Sequence, residues 1–139
     1  MDCGHGGGIV GRCSEFEIVN CYNIGDVEGS SYTGGLIGDA IGKNVITNCY
    51  NSGIINYKAA IIGNVANDSN NDITITNCQY KKGTATVTIA YNAGDASLVK
   101  GEATETENMP DVLSVINGEG AFEADLDGSN GGYPILKVK

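Results

Sequence analysis

The sequence predicts an all-β fold: a short right-handed parallel β-helix-like solenoid of about three coils, closed by a C-terminal cap containing one short α-helix. The first observation is a repeat, in which an Asn-Cys pair recurs at Cys21, Cys49 and Cys78, 28 and then 29 positions apart. The second is composition. The 139 residues include 21 glycines, two phenylalanines and no tryptophan, with many β-branched side chains, which is typical of short strands joined by turns.

The repeat period indicates how the chain is organised. Periods of roughly 20 to 50 residues are typical of solenoids, in which one unit cannot bury its apolar face alone and stacks on a neighbour. Residues 1–98 are therefore predicted to form the repeat region. Its coils are expected at about 5–29, 33–57 and 59–87, and a degenerate turn to residue 98 is suggested by "YNAGD", which resembles the earlier "YNIGD".

Three apolar blocks recur inside each repeat, and each predicts a strand of about three to five residues with glycine at the corners. The first is an apolar pair closed by glycine, and the second has an isoleucine three residues before the cysteine. The third follows a glycine by two residues. Their members are Ile9-Val10, Leu36-Ile37 and Ile61-Ile62; Ile18, Ile46 and Ile75; and Val27, Ile55 and Ala85.

Coils stacked at a strand spacing of about 4.8 Å place equivalent side chains above one another. The asparagines before the three cysteines are then expected to form a hydrogen-bonded ladder, and the cysteines an inward column of small side chains. The tyrosines nearby suggest either packing or an aromatic platform for sugars. These candidate residues are Asn20, Asn48 and Asn77; Cys21, Cys49 and Cys78; and Tyr22, Tyr50 and Tyr80.

Residues 99–139 are predicted to form a polar connection and the cap. The acidic stretch 99–108 favours an exposed connection. "NMPDVLSVING" predicts a helix over 110–117, with Asn108 as its N-cap, and strands are expected at 121–124 and 133–138. This segment is expected to lie across the last coil. No comparable cap is recognisable at the N-terminal side, which favours a longer array.

Charge excludes some classes of protein. The chain carries 17 acidic and 8 basic residues, a formal charge of −9, and Arg12 is its only arginine. A nucleic-acid-binding surface needs cations to neutralise phosphates, so no nucleic-acid partner is expected. No apolar run approaches the roughly 20 residues of a membrane span, so no membrane insertion is expected.

The cysteines and acidic motifs give little indication of a cofactor. Five cysteines and a single histidine, without a CxxC pair, do not match a four-ligand zinc site, so buried reduced thiols are favoured. A disulfide between Cys3 and Cys13 is left open. "DLDGSNGG" at 125–132 resembles part of a calcium loop but has Leu136 where the bidentate glutamate would stand, which favours a turn. No cofactor is expected.

An enzymatic role would have to use His5 or the carboxylates near the first coil. Glu15, Glu17, Asp26 and Glu28 would need to converge within about 5 to 10 Å to work as a glycosidase pair. None of them recurs as a matching cleft in the other repeats. A non-enzymatic module is therefore expected, and an accessory module or remnant of a secreted polysaccharide-acting or peptidase enzyme remains the alternative.

Two block pairs carry a family resemblance: "GGIVG" with "IVNCYNIGDV", and "GGLIG" with "ITNCYNSGII". They resemble the GLUG-motif repeats of bacterial surface and secreted proteins, and "NGGYPILKVK" is similar to the ending that follows such arrays. The third repeat departs from the pattern, with Ala59-Ala60, Gln79-Tyr80 and a polar insert predicted to loop out at 67–72.

This resemblance implies an extracellular protein, secreted or attached to the cell surface. It implies a stalk or adhesion segment within a longer chain, monomeric or weakly self-associating. The implied partner is a host or cell-surface glycan or protein.

Overall fold

The computed structural model describes residues 4–29, 31–56, 59–91, 96–108 and 112–138. These residues form twelve strands, one α-helix and a 3₁₀ turn at Ala96–Leu98. In chain order the elements are β1 (His5–Gly7), β2 (Val10–Val19), β3 (Tyr22–Asn23), β4 (Tyr32–Gly34), β5 (Ile37–Thr47), β6 (Tyr50–Asn51), β7 (Ala59–Val65), β8 (Asp72–Lys81), β9 (Val87–Tyr91), β10 (Val99–Thr106), α1 (Val112–Ile116), β11 (Phe122–Glu123) and β12 (Ile135–Leu136).

The predicted all-β solenoid of about three coils is confirmed. Coil 1 consists of β1 to β3, coil 2 of β4 to β6, and coil 3 of β7 and β8. Each coil pairs in parallel with the next: β1 with β4, β2 with β5 and β3 with β6, while β7 and β8 pair with the strands of coil 2. Parallel strands joined by long crossovers are the pairing that a stacked coil requires.

The repeat residues stand in register and form the interior of the stack. Ile18 lies opposite Ile46, and Ile46 opposite Ile75. All three are buried. Burial of these branched side chains between coils supplies the main stabilising term, since each contributes about 1.5 to 3 kcal/mol relative to exposure. The interior cluster contains Cys13, Ile18, Leu36, Ile37, Ala40, Ile46, Cys49, Ala60, Ile61, Ile62, Val65, Ile73, Ile75, Cys78 and Ala103.

The strands are longer than predicted. β2, β5 and β8 contain 10, 11 and 10 residues, so the prediction of separate strands of three to five residues is wrong for them. In β2 and β5 the chain bends inside the strand rather than at its end, through a bulge between Ser14 and Phe16. Glu15 and Gly42 lie at that bend with φ of 54° and 71°. A bulge turns a strand without ending its pairing.

Glycine does not form the repeated left-handed corner, which is a second correction. That corner is made by the asparagines that precede the cysteines. The paired glycines of the first block are needed for space instead. A Cβ on Gly34 would lie 2.1 Å from the Ile37 carbonyl oxygen, and one on Gly35 would lie 2.1 Å from that of Ala60. The backbone therefore passes too close to its neighbours for any side chain at these two positions.

The stretch predicted as an exposed connection is a strand. β10 pairs in parallel with β8 from Val99 to Thr106, and β9 pairs with β7, so the two continue the stack beyond coil 3. Backbone pairing places an acidic stretch in a strand whose outer side chains face solvent. The resemblance of "YNAGD" to "YNIGD" does not mark an equivalent position. Tyr91 pairs with Val65, whereas Tyr22 pairs with Tyr50, and residues 92–95 lie outside those described.

The cap packs along the side of the stack rather than across its last coil. Its apolar side chains, Val112, Ile116 and Phe122, form one cluster with Tyr50. Three polar contacts tie it to three successive coils: Glu119 to Asn20, the Pro134 carbonyl to Tyr50, and the Tyr133 hydroxyl to Lys81. The predicted position is wrong because the outward tyrosines of coils 1 and 2 provide an apolar side face that the cap buries.

The cap elements themselves lie close to the predicted segments. α1 spans Val112–Ile116 inside the predicted 110–117, and Pro110 lies outside the described residues. β11 and β12 fall within 121–124 and 133–138 and pair in antiparallel fashion. The boundary at residue 98 as a division between separately folding units stays a prediction.

Candidate functional site

The repeated asparagines form the most regular polar feature of the stack. Asn20, Asn48 and Asn77 have φ of 55°, 53° and 51°, a left-handed conformation that asparagine tolerates better than most residues. Asn77 Nδ2 donates to Asn48 Oδ1 at 3.2 Å, and Asn48 Nδ2 donates to Asn20 Oδ1 at 3.1 Å. Asn20 Nδ2 donates to Glu119 Oε2 at 3.0 Å. The structure therefore brings the three residues into one ladder that ends on the cap.

A second amide contact, which was not predicted, links coils 1 and 2. Asn23 Nδ2 donates to Asn51 Oδ1 at 2.9 Å. Each amide also closes its own turn, with Nδ2 donating to the carbonyl oxygen two residues later, at 2.7 Å for Gly25 and 3.1 Å for Gly53. The signal was available in the sequence, because Asn recurs two positions after the cysteine in both copies of "NCYN". The contact does not continue to coil 3, where Tyr80 occupies the position.

The three repeated cysteines are free thiols in equivalent positions. Each thiol donates to the carbonyl oxygen two residues earlier: Cys21 to Val19 at 3.2 Å, Cys49 to Thr47 at 3.1 Å and Cys78 to Thr76 at 3.3 Å. A hydrogen bond with the Cys78 thiol, together with burial, raises the pKa of Cys49 above its ordinary value. Their position among the apolar side chains of the interior makes the three cysteines small packing groups.

Cys13 lies apart from that column. It is a buried free thiol that donates to Asn44 Oδ1 at 3.1 Å. Burial, and secondarily the Asp39 carboxylate, raises the pKa of Cys13 to about 11. Cys3, the partner considered for a disulfide, lies outside the described residues.

The tyrosines of coils 1 and 2 stack but do not form an open platform. The rings of Tyr22 and Tyr50 are 5.0 Å apart and 2° from parallel, and Phe122 of the cap tilts against both. Tyr50 is 0% exposed. Its hydroxyl donates to the Pro134 carbonyl oxygen at 2.6 Å and accepts from Asn130 Nδ2 at 3.2 Å, and burial raises the pKa of Tyr50. The binding prediction is wrong at Tyr50, because no ligand can reach it.

Tyr80 does not belong to the same file as Tyr22 and Tyr50. It stands opposite Asn51, while Gln79 stands opposite Tyr50. The Tyr80 ring packs against the solenoid interior, and its hydroxyl accepts a hydrogen bond from Thr88 Oγ1 at 2.9 Å. Tyr22 and Tyr80 are both half-buried, and ligand binding at these two residues stays a prediction.

The four carboxylates considered for catalysis do not share one cleft. Glu15 and Glu17 line an open groove of about 430 Å³ on the side of β2 and β5, together with Phe16, Lys43 and Val45. Asp26 and Glu28 are not among its lining residues. These two carboxylates accept hydrogen bonds from coil 2 instead. Asp26 Oδ1 accepts from the Ile54 backbone N–H at 2.9 Å, and Glu28 Oε1 accepts from Asn56 Nδ2 at 3.4 Å.

The groove of Glu15, Phe16, Glu17, Lys43 and Val45, called here the lateral groove, is the best candidate for contact with a ligand. Phe16 leaves 47% of its surface exposed. An exposed aromatic face flanked by carboxylates and an ammonium group offers both stacking and hydrogen bonding to a polar ligand. Phe16 could not be recognised from the repeat, because no aromatic residue recurs at that position.

A buried carboxylate lies inside coil 2. Asp39 is 3% exposed and accepts from Asn64 Nδ2 at 2.7 Å. Arg12 Nε lies 3.3 Å from its Oδ2, and His5 Nδ1 lies 3.7 Å from the same oxygen. The Arg12 guanidinium and the Asn64 amide satisfy a carboxylate charge that would otherwise be costly to bury. This arrangement explains the only arginine of the chain in structural terms.

The segment resembling a calcium loop is a turn held by Asp125. Its Oδ2 accepts from the backbone N–H groups of Asn130 and Gly132 at 3.0 and 2.8 Å, and its Oδ1 accepts from Ser129 Oγ at 3.2 Å. Within the described residues, no group of three or more His, Cys, Asp or Glu side chains is arranged to hold a metal ion.

Comparison with known proteins supports the fold. The chain resembles a solved structure described as a "putative immunoglobulin A1 protease" from Bacteroides ovatus, with a TM-score of 0.63 and 18% identity. The match covers 98% of this chain and 54% of that chain, so the present chain spans about half of its length. At this identity the likeness concerns the β-solenoid fold alone. No family model matches the sequence, and no curated protein matches it.

Among the described residues, no helix has the length and apolar character of a membrane-crossing segment.

Proposed function

We propose that the chain is a non-enzymatic repeat module of a bacterial cell-surface or secreted protein, which acts as a stiff stalk and displays its lateral groove to a ligand. The GLUG-type blocks support this proposal, because residues of those blocks make the contacts between coils. The main observation behind the proposal is the asparagine ladder, which runs from Asn77 through Asn48 to Asn20 and ends at Glu119. It connects three coils and the cap by hydrogen bonds.

The stalk role follows from how the contacts are distributed. Coil-to-coil pairing, the asparagine ladder and the lateral cap all connect successive coils along one axis. A solenoid of this kind resists bending because each coil is fixed to its neighbour by both backbone and side chains. The side faces then remain for binding, and the lateral groove presents the exposed aromatic ring of Phe16.

The display role is tested by screening a panel of neutral and acidic glycans and extracellular-matrix proteins with the full chain. Phe16→Ala is expected to weaken any glycan that binds by tenfold or more, since stacking on the exposed ring is lost. Leu126→Ala is the matched control, because Leu126 is an exposed apolar residue on the cap, 94% accessible. Binding that is unchanged by Phe16→Ala would contradict the lateral groove as the site, and a negative panel would leave the stalk role alone.

The second candidate is an accessory module of a secreted peptidase, and the specific observation in its favour is the likeness to the Bacteroides ovatus structure. In that case the solenoid would position a catalytic domain rather than cleave its substrate itself. Immunoglobulin A1 incubated with the purified chain alone is then expected to keep its intact mass. Fragmentation that depends on the folded chain and is lost after Glu15→Gln or Glu17→Gln would contradict both the accessory role and the stalk role and would favour an enzyme.

A further inference from the structure

We propose that the open end of coil 1 accepts one more coil of the same repeat, donated in extended form by another stretch of polypeptide. The surface concerned, called the coil-1 end, consists of Ile9, Val10, Phe16, Ile18, Cys21 and Tyr22. The incoming segment would pair in parallel with β2 and place its own Asn-Cys-Tyr block over that of coil 1. This inference does not require a ligand in the lateral groove, but an added coil would cover Phe16, which the two surfaces share.

The first observation is a strand edge with an apolar border. Within the described part of the chain, β2 pairs only with β5, so its other edge offers backbone groups without a strand partner. Ile9 and Phe16 are 36% and 47% exposed beside it. A groove of about 570 Å³ runs along the edge, lined by Ile9, Val10, Phe16, Glu17, Ile18, Val19 and Cys21. Such an edge is a template for strand addition.

The second observation identifies the occupant. Coil 2 presents an equivalent surface to coil 1, and there it is completely covered. Cys49 and Tyr50 are 0% exposed, whereas their counterparts in coil 1, Cys21 and Tyr22, are only half-buried. Coil 1 covers coil 2 with the face that points toward it, called here the underside. Because the coil-1 end is equivalent to the covered surface of coil 2, the underside of another coil with this repeat sequence would complement it.

The third observation is the direction of the asparagine ladder. Each amide donates to the oxygen of the preceding coil, from Asn77 to Asn48 and from Asn48 to Asn20. Asn20 continues the pattern by donating to Glu119 Oε2. The carboxylate oxygen therefore occupies the place that the asparagine of an added coil would take. Glu119 is an exposed side chain, so an incoming asparagine can displace it.

A folded second copy does not offer the complementary underside. The free underside of its stack belongs to β10, where Ala103, Thr104 and Glu105 stand opposite Cys78, Gln79 and Tyr80. That face lacks the Asn-Cys-Tyr block. Its exposed side chains include the carboxylates of Glu102 and Glu105 instead. The donor that supplies the Asn-Cys-Tyr block is therefore a segment that is not already part of a stack.

The test uses a fluorescent peptide with the sequence of residues 34–56 and the intact 139-residue chain under reducing conditions. The fluorescence anisotropy of the peptide is expected to rise to a plateau as the chain is added. In the complex, hydrogen exchange in β2 is expected to slow, and alkylation of Cys21, followed at that residue by mass spectrometry, is expected to slow at least tenfold. A peptide of the same composition in scrambled order is the control. In a second experiment, called the tethered arm, a copy of residues 7–33 is inserted before Gly7, so that the added coil belongs to the same chain. The same protection of β2 and Cys21 is expected.

Two variants locate the site. Ile9→Asp places a charge at an exposed position of the coil-1 end and is expected to weaken peptide binding at least tenfold. Glu119→Ala removes the competing acceptor of Asn20 and is expected to tighten binding about fivefold, the equivalent of one hydrogen bond. Leu126→Ala on the cap should leave affinity unchanged.

Three outcomes overturn the proposal. The first is the absence of protection at β2 and Cys21 in both the peptide and the tethered arm. The second is protection at β10 in place of β2. The third is concentration-dependent dimerisation of the chain alone with protection at β2, which would assign the coil-1 end to a second copy.

Discussion

At the scale of single residues, one asparagine per coil does two jobs. Its backbone takes the left-handed corner, and its side chain hydrogen-bonds to the neighbouring coils. Asn48 lies in the middle, accepting from Asn77 and donating to Asn20. Glycine could satisfy the corner and alanine neither requirement. The two roles can therefore be separated by substitution.

Asn48→Ala is expected to lower the free energy of unfolding by about 3 kcal/mol, because it loses two hydrogen bonds and strains the corner. Asn48→Gly keeps the corner relaxed and is expected to cost about 2 kcal/mol. Urea unfolding of both variants measures the difference. Equal losses would show that the φ of 53° at Asn48 carries no strain for alanine.

The Tyr50 hydroxyl links coil 2 to the cap. Tyr50→Phe keeps the ring stacked on Tyr22 but removes the two hydrogen bonds of its hydroxyl, to the Pro134 carbonyl and from the Asn130 amide, which then retain only their 3.3 Å hydrogen bond to each other and the Asn130 bond to the Tyr133 carbonyl. A loss of about 1 to 3 kcal/mol in the free energy of unfolding is expected. Tyr22→Phe, on the half-buried ring, is the control and should change stability by less than about 0.5 kcal/mol. Thermal unfolding measures the stability of both variants. Equal losses for Tyr50→Phe and Tyr22→Phe would contradict a link between coil 2 and the cap through the Tyr50 hydroxyl.

At the scale of elements, the strands meet where glycine leaves room for a neighbouring backbone. Gly35 faces the Ala60 carbonyl oxygen of the next coil, and an added Cβ would also lie 2.5 Å from the Asn51 side chain. Side chains of this first block are thus limited by the spacing of the stack. Coil 3 has alanines at the equivalent positions, 59 and 60, so glycine is not required there.

Gly35→Ala is expected to destabilise the chain by about 3 kcal/mol, since neither the backbone of coil 3 nor Asn51 can move away without breaking its own hydrogen bonds. Gly25→Ala is the matched control. A Cβ there meets only Asn23 Oδ1 at 3.7 Å, an ordinary contact, so a small change is expected. Guanidinium unfolding compares the two, and a Gly35→Ala variant as stable as Gly25→Ala would refute the close approach.

At the scale of the whole molecule, buried thiols make stability depend on alkaline pH. Cys13 has its pKa raised from 9.0 in the unfolded chain to about 11 in the fold, largely by burial. Above pH 9 the unfolded state loses this proton first. The contribution is therefore complete below pH 9 and is lost as pH rises through 11.

The free energy of unfolding is accordingly expected to fall as pH rises from 9 to 11. Cys13→Ala should make that fall shallower, because one of the titrating groups is removed. Urea midpoints measured across this range for both proteins test the expectation. A slope identical in the two proteins would exclude Cys13 as a contributor.

How much of the molecule could be predicted depended on whether a feature repeats. Asn48 and Cys49 recur at a fixed period, so their stacking was visible in the sequence. β10 carries no motif, since Gly101 and Ala103 replace Ile75 and Cys78 of the coil it pairs with. β10 is a strand because its backbone pairs with β8, and backbone pairing does not require a recognisable pattern of side chains.

The position of the cap could not be predicted for a related reason. Phe122 and Ile116 were recognisable as apolar, but the partner of such a cluster is decided in three dimensions. The complete burial of Tyr50 could not be predicted, because the cap residues that cover it lie more than 60 positions later in the sequence. Likewise, Arg12 and Asp39 meet only because β2 and β5 are in register.

The asparagine ladder also gives the stack an electrical polarity. All three amides point the same way, so their dipoles add, with the positive end at Asn20 and the negative end at Asn77, as in a helix. The carboxylate of Glu119 lies at that positive end. A lysine in its place would set two positive poles against each other, so the sign of charge at residue 119 determines how firmly the cap is attached to the first coil.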